Sequence, residues 1–311
     1  MRGFSATRDV STGEIGRSDS FRKHHNAPTS FWLTGLIGSR NDDPMTSPET
    51  SPESPRLIEV GQAAAIRRIA VRVREGGQPG LFWLGGFKSD MQGTKAVALD
   101  AWAAEHNRAC VRFDYSGHGE SGGDFVDGTI GQWLEESVAV FERFCAGPQV
   151  VIGSSMGGWM ALLLARELAK RHASPASLAG LVLIAPAPDF TEELMWKRFS
   201  PEIRHQIETS GVWLRPSEYG DPYPITGKLI EEGRKHLLLG GSIEVGCPVH
   251  ILQGAQDPDV PWKHAFALTH RLPAEDVVLT MIQDGDHRLS RPQDIARILA
   301  AVAEFGQPMR H

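Results

Sequence analysis

The run QVVIGSSMGGWMALLLA, residues 149–165, constrains this chain more than any other. Its β-branched opening (149–152) predicts a buried strand and its apolar close predicts a helix, with Gly153-Ser154-Ser155-Met156-Gly157 as the whole turn between them. A turn this tight brings the positions two before and two after its central residue against neighbouring backbone, so both must be glycine. Gly153 and Gly157 satisfy that requirement around Ser155. Shifting the centre to Ser154 would place Ile152 and Met156 there instead. A phosphate loop would need G-x-x-x-x-G-K-[ST] or G-x-G-x-x-G at this junction, and neither is present. The expected occupant of the turn is a serine nucleophile, Ser155.

A serine hydroxyl attacks only when an imidazole accepts its proton and a carboxylate orients that imidazole. On a strand-turn-helix of this kind the order is serine, acid, histidine. His172, His205, His236, His264 and His270 fall in expected helices or in a long insertion, and His250 lies within an expected strand. His287 follows the last expected strand in the loop DGDHRLS and is the expected base. The strand PVHILQG ends in AQDPDVPW, which offers Asp257 and Asp259. Either could cap the next helix. Asp257 is nearer the carboxyl end of the strand, where sites gather in open α/β sheets, and is the expected acid, with Asp259 in reserve. Two backbone donors must meet the oxyanion of acyl transfer. The amide of Met156, just after the nucleophile, is one; the amide of Phe87, in the loop after LFWLGGF, is the other.

After Pro55, short apolar runs alternate with helical periods. The expected strands are 66–73, 80–84, 109–113, 149–152, 179–184, 248–252 and 276–282, and the expected helices 94–106, 129–145, 156–172, 262–271 and 292–305. This predicts an α/β class fold, a mostly parallel, doubly wound sheet over 56–311. Residues 186–245 carry no strand signal and are too long for an ordinary connection, which makes them a cap insertion. Their Phe190, Leu194, Met195, Trp196, Phe199, Trp213, Tyr219 and Tyr223 supply the apolar surface of a lid. Residues 1–55 read as a disordered tail and linker, since NDDPMTSPETSPESP (41–55) is too polar to offset its ordering entropy. Met45 is the expected alternative start.

A net charge of −6 with pI near 6.1 excludes a surface built to neutralise phosphates, so no nucleic-acid partner is expected. Cys110, Cys145 and Cys247 form neither a disulfide framework nor a thiolate zinc site, and a reducing compartment fits them. No apolar run reaches the ~18 residues of a membrane span. Asp9, Glu14 and Asp19 count against an acid-poor transit peptide, leaving the cytoplasm as the expected location. The triad chemistry needs no cofactor and no metal. Nothing here sets an oligomeric state.

The residues assembled above, with RFDYSGHGESGG (112–123), resemble the α/β-hydrolase superfamily. LGGFKSDMQGTKA (84–96), GVWLRPSEYG (211–220), QDPDVPW (256–262) and DHR (286–288) are similar to an abhydrolase-domain branch of acyl-glucuronide esterases and palmitoyl-protein thioesterases. The resemblance covers about residues 65–305, matching the insertion only in part. It implies Ser155, Asp257 and His287 as catalytic residues and hydrolysis of esters or thioesters through an acyl-enzyme. The substrates it implies are small acyl glucuronides or S-acylated proteins. Lys88 or Arg288 is then expected to meet a substrate carboxylate, and Trp196 and Trp213 to wall the acyl pocket. The triad alone also admits another carboxylesterase, an amidase or peptidase, or a transacylase. A non-catalytic binding module is the remaining alternative.

Overall fold

Val150, Val151 and Ile152 are apolar on consecutive positions, so neither face of their strand can meet water. Such a strand is stable only in the interior of a sheet covered on both sides. The computed structural model describes residues 54–171, 175–216, 222–273 and 276–305. There β5 (Gly147–Ser154) lies at the middle of an eight-stranded sheet, between β3 (Gly77–Leu84) and β6 (Ala176–Ile184). Beyond β3 come β4 (Arg108–Phe113), β2 (Arg67–Arg74) and β1 (Arg56–Val60). Beyond β6 come β9 (Val249–Gly254) and β10 (Val277–Ile282). From β4 to β10 every pairing is parallel, whereas β2 joins β4 antiparallel and β1 joins β2 antiparallel.

Helices cover the two faces. α2 (Ile130–Phe144), α3 (Met156–Ala169) and α6 (Trp262–Thr269) pack on one side around Trp133, Phe141 and Trp159. α1 (Thr94–Glu105) and α7 (Pro292–Glu304) cover the other through Leu99, Ile298 and Val302. The chain order reverses beside β3: α1 carries it outward to β4, and α2 returns it to β5 on the opposite flank. Ligands bind at such a switch point, outside the carboxyl ends of the strands. Gly85 to Phe87 and Ser155 both stand there, at the ends of β3 and β5.

Two features depart from expectation. β1 precedes the first expected strand; it is an edge with only Ile58 and Val60 buried, too little apolar pattern to be read. Residues 186–245, expected without strands, contain β7 (Val212–Arg215) and β8 (Tyr223–Thr226), an antiparallel hairpin. Four residues each, half-buried on mixed side chains, leave no period to detect.

That segment also has helical elements. It holds a π-helical turn Thr191–Met195, α4 (Pro201–Ser210) and α5 (Gly227–Gly233). α4 has a Ser200 cap accepting from the Ile203 amide, Pro201 in its first turn and Gly211 at φ 76° after its end, each a stop or start signal in sequence. Asp189 clamps the segment on itself: its buried carboxylate accepts from the Leu238 and Leu239 amides, both at 2.8 Å. Among the described residues no helix is long and apolar enough to cross a membrane. The tail, Met45 and Tyr219 lie outside the described residues.

Candidate active site

The turn after β5 is as crowded as its glycines imply. A Cβ on Gly153 would sit 2.2 Å from the Gly157 carbonyl oxygen, and one on Gly157 would sit 2.0 Å from the Leu84 carbonyl oxygen. Neither position can hold a side chain. Ser155 itself is forced to φ 54° and ψ −115°, a conformation non-glycine residues adopt only under local constraint. Its amide donates to the Ile184 carbonyl at 2.9 Å and its carbonyl accepts from the Gly158 and Ala187 amides, which fixes the strained backbone from both sides.

Strand ends bring the partners in. His287, in the loop after β10, accepts from Ser155 Oγ at Nε2 (3.1 Å) and donates from Nδ1 to Asp257 Oδ2 (2.8 Å). Asp257 follows β9, and its side chain is wholly buried. Its Oδ1 accepts from the Asp259 and Val260 amides, at 2.9 and 2.8 Å, and its Oδ2 also accepts from Gln253 Nε2 at 3.3 Å. Four donors satisfy a carboxylate that burial would otherwise destabilise. Asp259 is half exposed and faces Arg215 at 3.8 Å instead. Asp257, Asp259 and His287 bring possible metal-ligand atoms within 4.8 Å of one another. Asp257 and His287 already spend theirs on one another, on Ser155 and on the turn.

Phe87 and Met156 flank Ser155, and among the described residues neither amide donates to a protein acceptor. The Phe87 loop is held from below by the 114–122 loop. The Lys88 amide donates to His118 Nε2 (3.2 Å), while His118 Nδ1 donates to the Ser116 carbonyl (3.1 Å). The Met91 amide donates to Asp114 Oδ1 (2.6 Å). Burial lowers the His118 pKa, favouring the neutral ring that can accept, and raises that of Asp114 to about 6. Neither residue was legible as a support, because the loop they support lies 23 to 30 residues away.

Two cavities meet at Ser155 and His287. One, of about 450 Å³, is walled by Phe87, Met156, Phe190, Leu194, Met195, Phe199, Trp213, Tyr223 and Val260, with Arg198, Arg215 and Asp259 among its polar residues. The other, of about 280 Å³, is walled by Trp83, Gly86, Phe87, Ser89, Asp90, Thr94, Lys95, Ser154, Arg288 and Ser290. Trp213 and Arg288 thus each line a cavity that Ser155 also lines.

Trp196 and Lys88 do not. Trp196 lines a separate cavity with Ile207, Gly211 and Ile230, its ring under the Arg204 and Arg234 guanidiniums at 5.7 and 5.1 Å. Lys88 is exposed, its ammonium 4.7 Å from the Tyr223 ring centre, and it lines neither cavity at Ser155. Lys95, which sequence reasoning missed, lines the polar one.

The sequence profile described as the alpha/beta hydrolase family matches residues 76–298. The human palmitoyl-protein thioesterase ABHD10, mitochondrial, is 32% identical over 242 residues, 77% of each chain. A candidate hydrolase from Agrobacterium vitis S4 superposes with a TM-score of 0.80 at 49% identity, over 82% of this chain and 99% of that one. The alpha/beta hydrolase domain-containing protein 10 from mouse gives 0.71 at 30% identity, over 80% and 97%.

Proposed function

We propose, from the premise that this chain belongs to the alpha/beta hydrolase family, that Ser155, His287 and Asp257 form its catalytic triad. The reaction is hydrolysis of carboxylic esters or thioesters through an acyl-enzyme. The observation that carries this reading is the unbroken line of two hydrogen bonds, Ser155 to His287 to Asp257, at the end of a strained turn.

The steps follow from the atoms. His287 Nε2 takes the proton of Ser155 Oγ as that oxygen attacks the acyl carbon. Asp257, already accepting the Nδ1 proton, stabilises the imidazolium without itself being protonated. The unpaired Phe87 and Met156 amides receive the oxyanion; one such donor is worth about 2.7–4 kcal/mol in comparable sites. His287 returns the proton to the leaving oxygen or sulfur, and water repeats the sequence on the acyl-enzyme.

The apolar cavity, with Trp213 in its wall, takes the acyl chain, and residues 186–245 act as the cap that forms it. S-acylated proteins come first among substrates, because the curated relatives are named palmitoyl-protein thioesterases; acyl glucuronides are the second class. Those relatives are named mitochondrial. For this chain we place the site in a reducing compartment, the cytoplasm, which its free cysteines Cys110, Cys145 and Cys247 fit. Uptake by isolated mitochondria with shortening of the chain would overturn that.

A fluorophosphonate probe tests the chemistry. Labelling of the wild-type protein at Ser155, absent in Ser155→Ala, is expected together with turnover of p-nitrophenyl esters and an S-palmitoyl peptide. An unlabelled wild-type protein would leave a binding module.

A further inference from the structure

The turn that carries the Phe87 amide has a form its own sequence does not favour. The Ser89 amide donates to the Gly86 carbonyl (3.1 Å), which closes a four-residue turn with Phe87 and Lys88 at its centre. Lys88 has φ 58°. A positive φ at the third residue marks the turn that ordinarily takes glycine there; in the commoner turn both central residues have negative φ, and the peptide between them is turned over. A lysine left to itself would take the commoner form. A group outside the turn therefore holds the Phe87–Lys88 peptide.

His118 is that group. Its Nε2 accepts from the Lys88 amide (3.2 Å). Turning the peptide over would withdraw this donor and set the Phe87 carbonyl against a nitrogen with no proton to give. The nitrogen is bare because the ring's proton is on Nδ1, which donates to the Ser116 carbonyl (3.1 Å). The Trp133 indole donates to the same carbonyl (3.2 Å), and the His118 ring packs edge-to-face with Phe125 and Trp133, centroids 5.2 and 5.3 Å away. Burial lowers the pKa of the ring and the nearby Lys88 ammonium lowers it further, against the pull of the Ser116 carbonyl, so the accepting form persists. α2 thus sets the ring, and the ring sets the turn. The far end of the loop is pinned separately, where Asp114 Oδ1 accepts from the Met91 amide.

We propose that His118 is a positioning residue for the oxyanion hole, which by fixing the Phe87–Lys88 peptide keeps the Phe87 amide aimed at the place where the oxyanion forms. This rests on Ser155 being the nucleophile and the Phe87 amide a donor to the oxyanion. Such a donor works by being in place before charge develops, within about 0.5 Å of its productive position. A turn that exchanges between two forms would offer it only part of the time. His118 lines neither cavity at Ser155 and has no hydrogen bond to Ser155, His287 or Asp257 among the described residues. Its loss therefore leaves the proton relay in place and acts on the oxyanion alone.

The informative quantity is a ratio: kcat/KM for p-nitrophenyl benzoate over that for its thiono counterpart, in which sulfur replaces the carbonyl oxygen. A sulfur anion accepts hydrogen bonds poorly, so the thiono ester uses the same triad but draws little from the oxyanion hole. His118→Leu should lower the ratio about tenfold, a fraction of the roughly 10²–10³ lost when such a donor is removed outright. His118→Gln, whose amide oxygen can stand where Nε2 stood, should largely restore it. Loss of folded protein or damage to the triad slows both esters together and leaves the ratio alone. A ratio unchanged in His118→Leu, or as low in His118→Gln, overturns the proposal. Hydrogen exchange of residues 84–91 in the whole protein separates this failure from that of the enzyme reading. If Ser155 takes no fluorophosphonate label, exchange at the Lys88 amide that quickens in His118→Leu and slows again in His118→Gln still upholds His118 as the clamp of this turn, and equal exchange in all three proteins overturns it.

Discussion

The two cavities beside Ser155 differ in where their walls come from. Most of the apolar one is lent by residues 187–223, an excursion from the sheet whose shape depends on its own small hairpin and helices. The polar one is built from β3, the start of α1 and the His287 loop, all rooted in the main sheet. One side can vary its contour without disturbing the strands; the other cannot change without touching the residues that hold the base. The difference teaches that the two cavities draw on separate parts of the chain, with Phe87, Ser155 and His287 as their common wall.

Substitutions should then sort by wall. The largest effect belongs to the shared one. Ser155→Ala should lower kcat by about 10⁶, as removal of the serine does in a comparable triad, and by the same factor for every acyl chain and leaving group. Ser154→Ala should cost far less. Rates for a panel of esters would break the comparison if the loss depended on the leaving group, or if the two serines were equivalent.

Asp257→Asn comes next. The amide retains the size but presents the wrong hydrogen bond to His287 Nδ1, which costs about 10⁴-fold in a protease triad. Asp259→Asn, at a half-exposed side chain 3.8 Å from Arg215, should change kcat less than about threefold. Reversal of that order would move the carboxylate assignment to Asp259.

Trp213→Ala acts on one side only. It should reduce kcat/KM for a decanoyl ester about tenfold relative to an acetyl ester, the equivalent of two buried methylenes at about 0.8 kcal/mol each. For a fixed acyl chain, the ratio of rates for two leaving groups should stay the same. A change in that ratio would show that the two cavities are coupled.

The smallest effect is on stability. The Lys95 pKa is lowered in the folded protein, from 10.5 to about 8, so between those values the unfolded chain binds the proton and the folded one does not. Stability from this group therefore rises with pH across that window. Thermal melts should show the wild-type protein gaining on Lys95→Met as pH passes 8. A Tm difference that is flat from pH 7 to 10 would mean the ammonium is better solvated than its burial implies.

What the sequence determined by itself was local. Glycine at 153 and 157 selects Ser155 because backbone crowding acts over two residues, and β-branched runs set against helical periods placed the main strands and helices to within a few positions. The loops bearing Asp257 and His287, each after an expected strand, follow from the same periodicity.

Tertiary structure decided the rest. In sequence Asp257 leads Asp259 only by standing nearer the strand end, whereas in the fold burial under four donors, His287 among them, separates the two. Trp196 and Trp213 are equally apolar, yet one lines a cavity beside Ile207 and the other the cavity at Ser155. Lys88 sits beside the oxyanion loop in sequence and lies over Tyr223, while Lys95 reaches a carbonyl 193 positions away. Side chains that meet across such separations leave no period to read, since what brings them together is the packing of strands and helices and not the pattern of their neighbours.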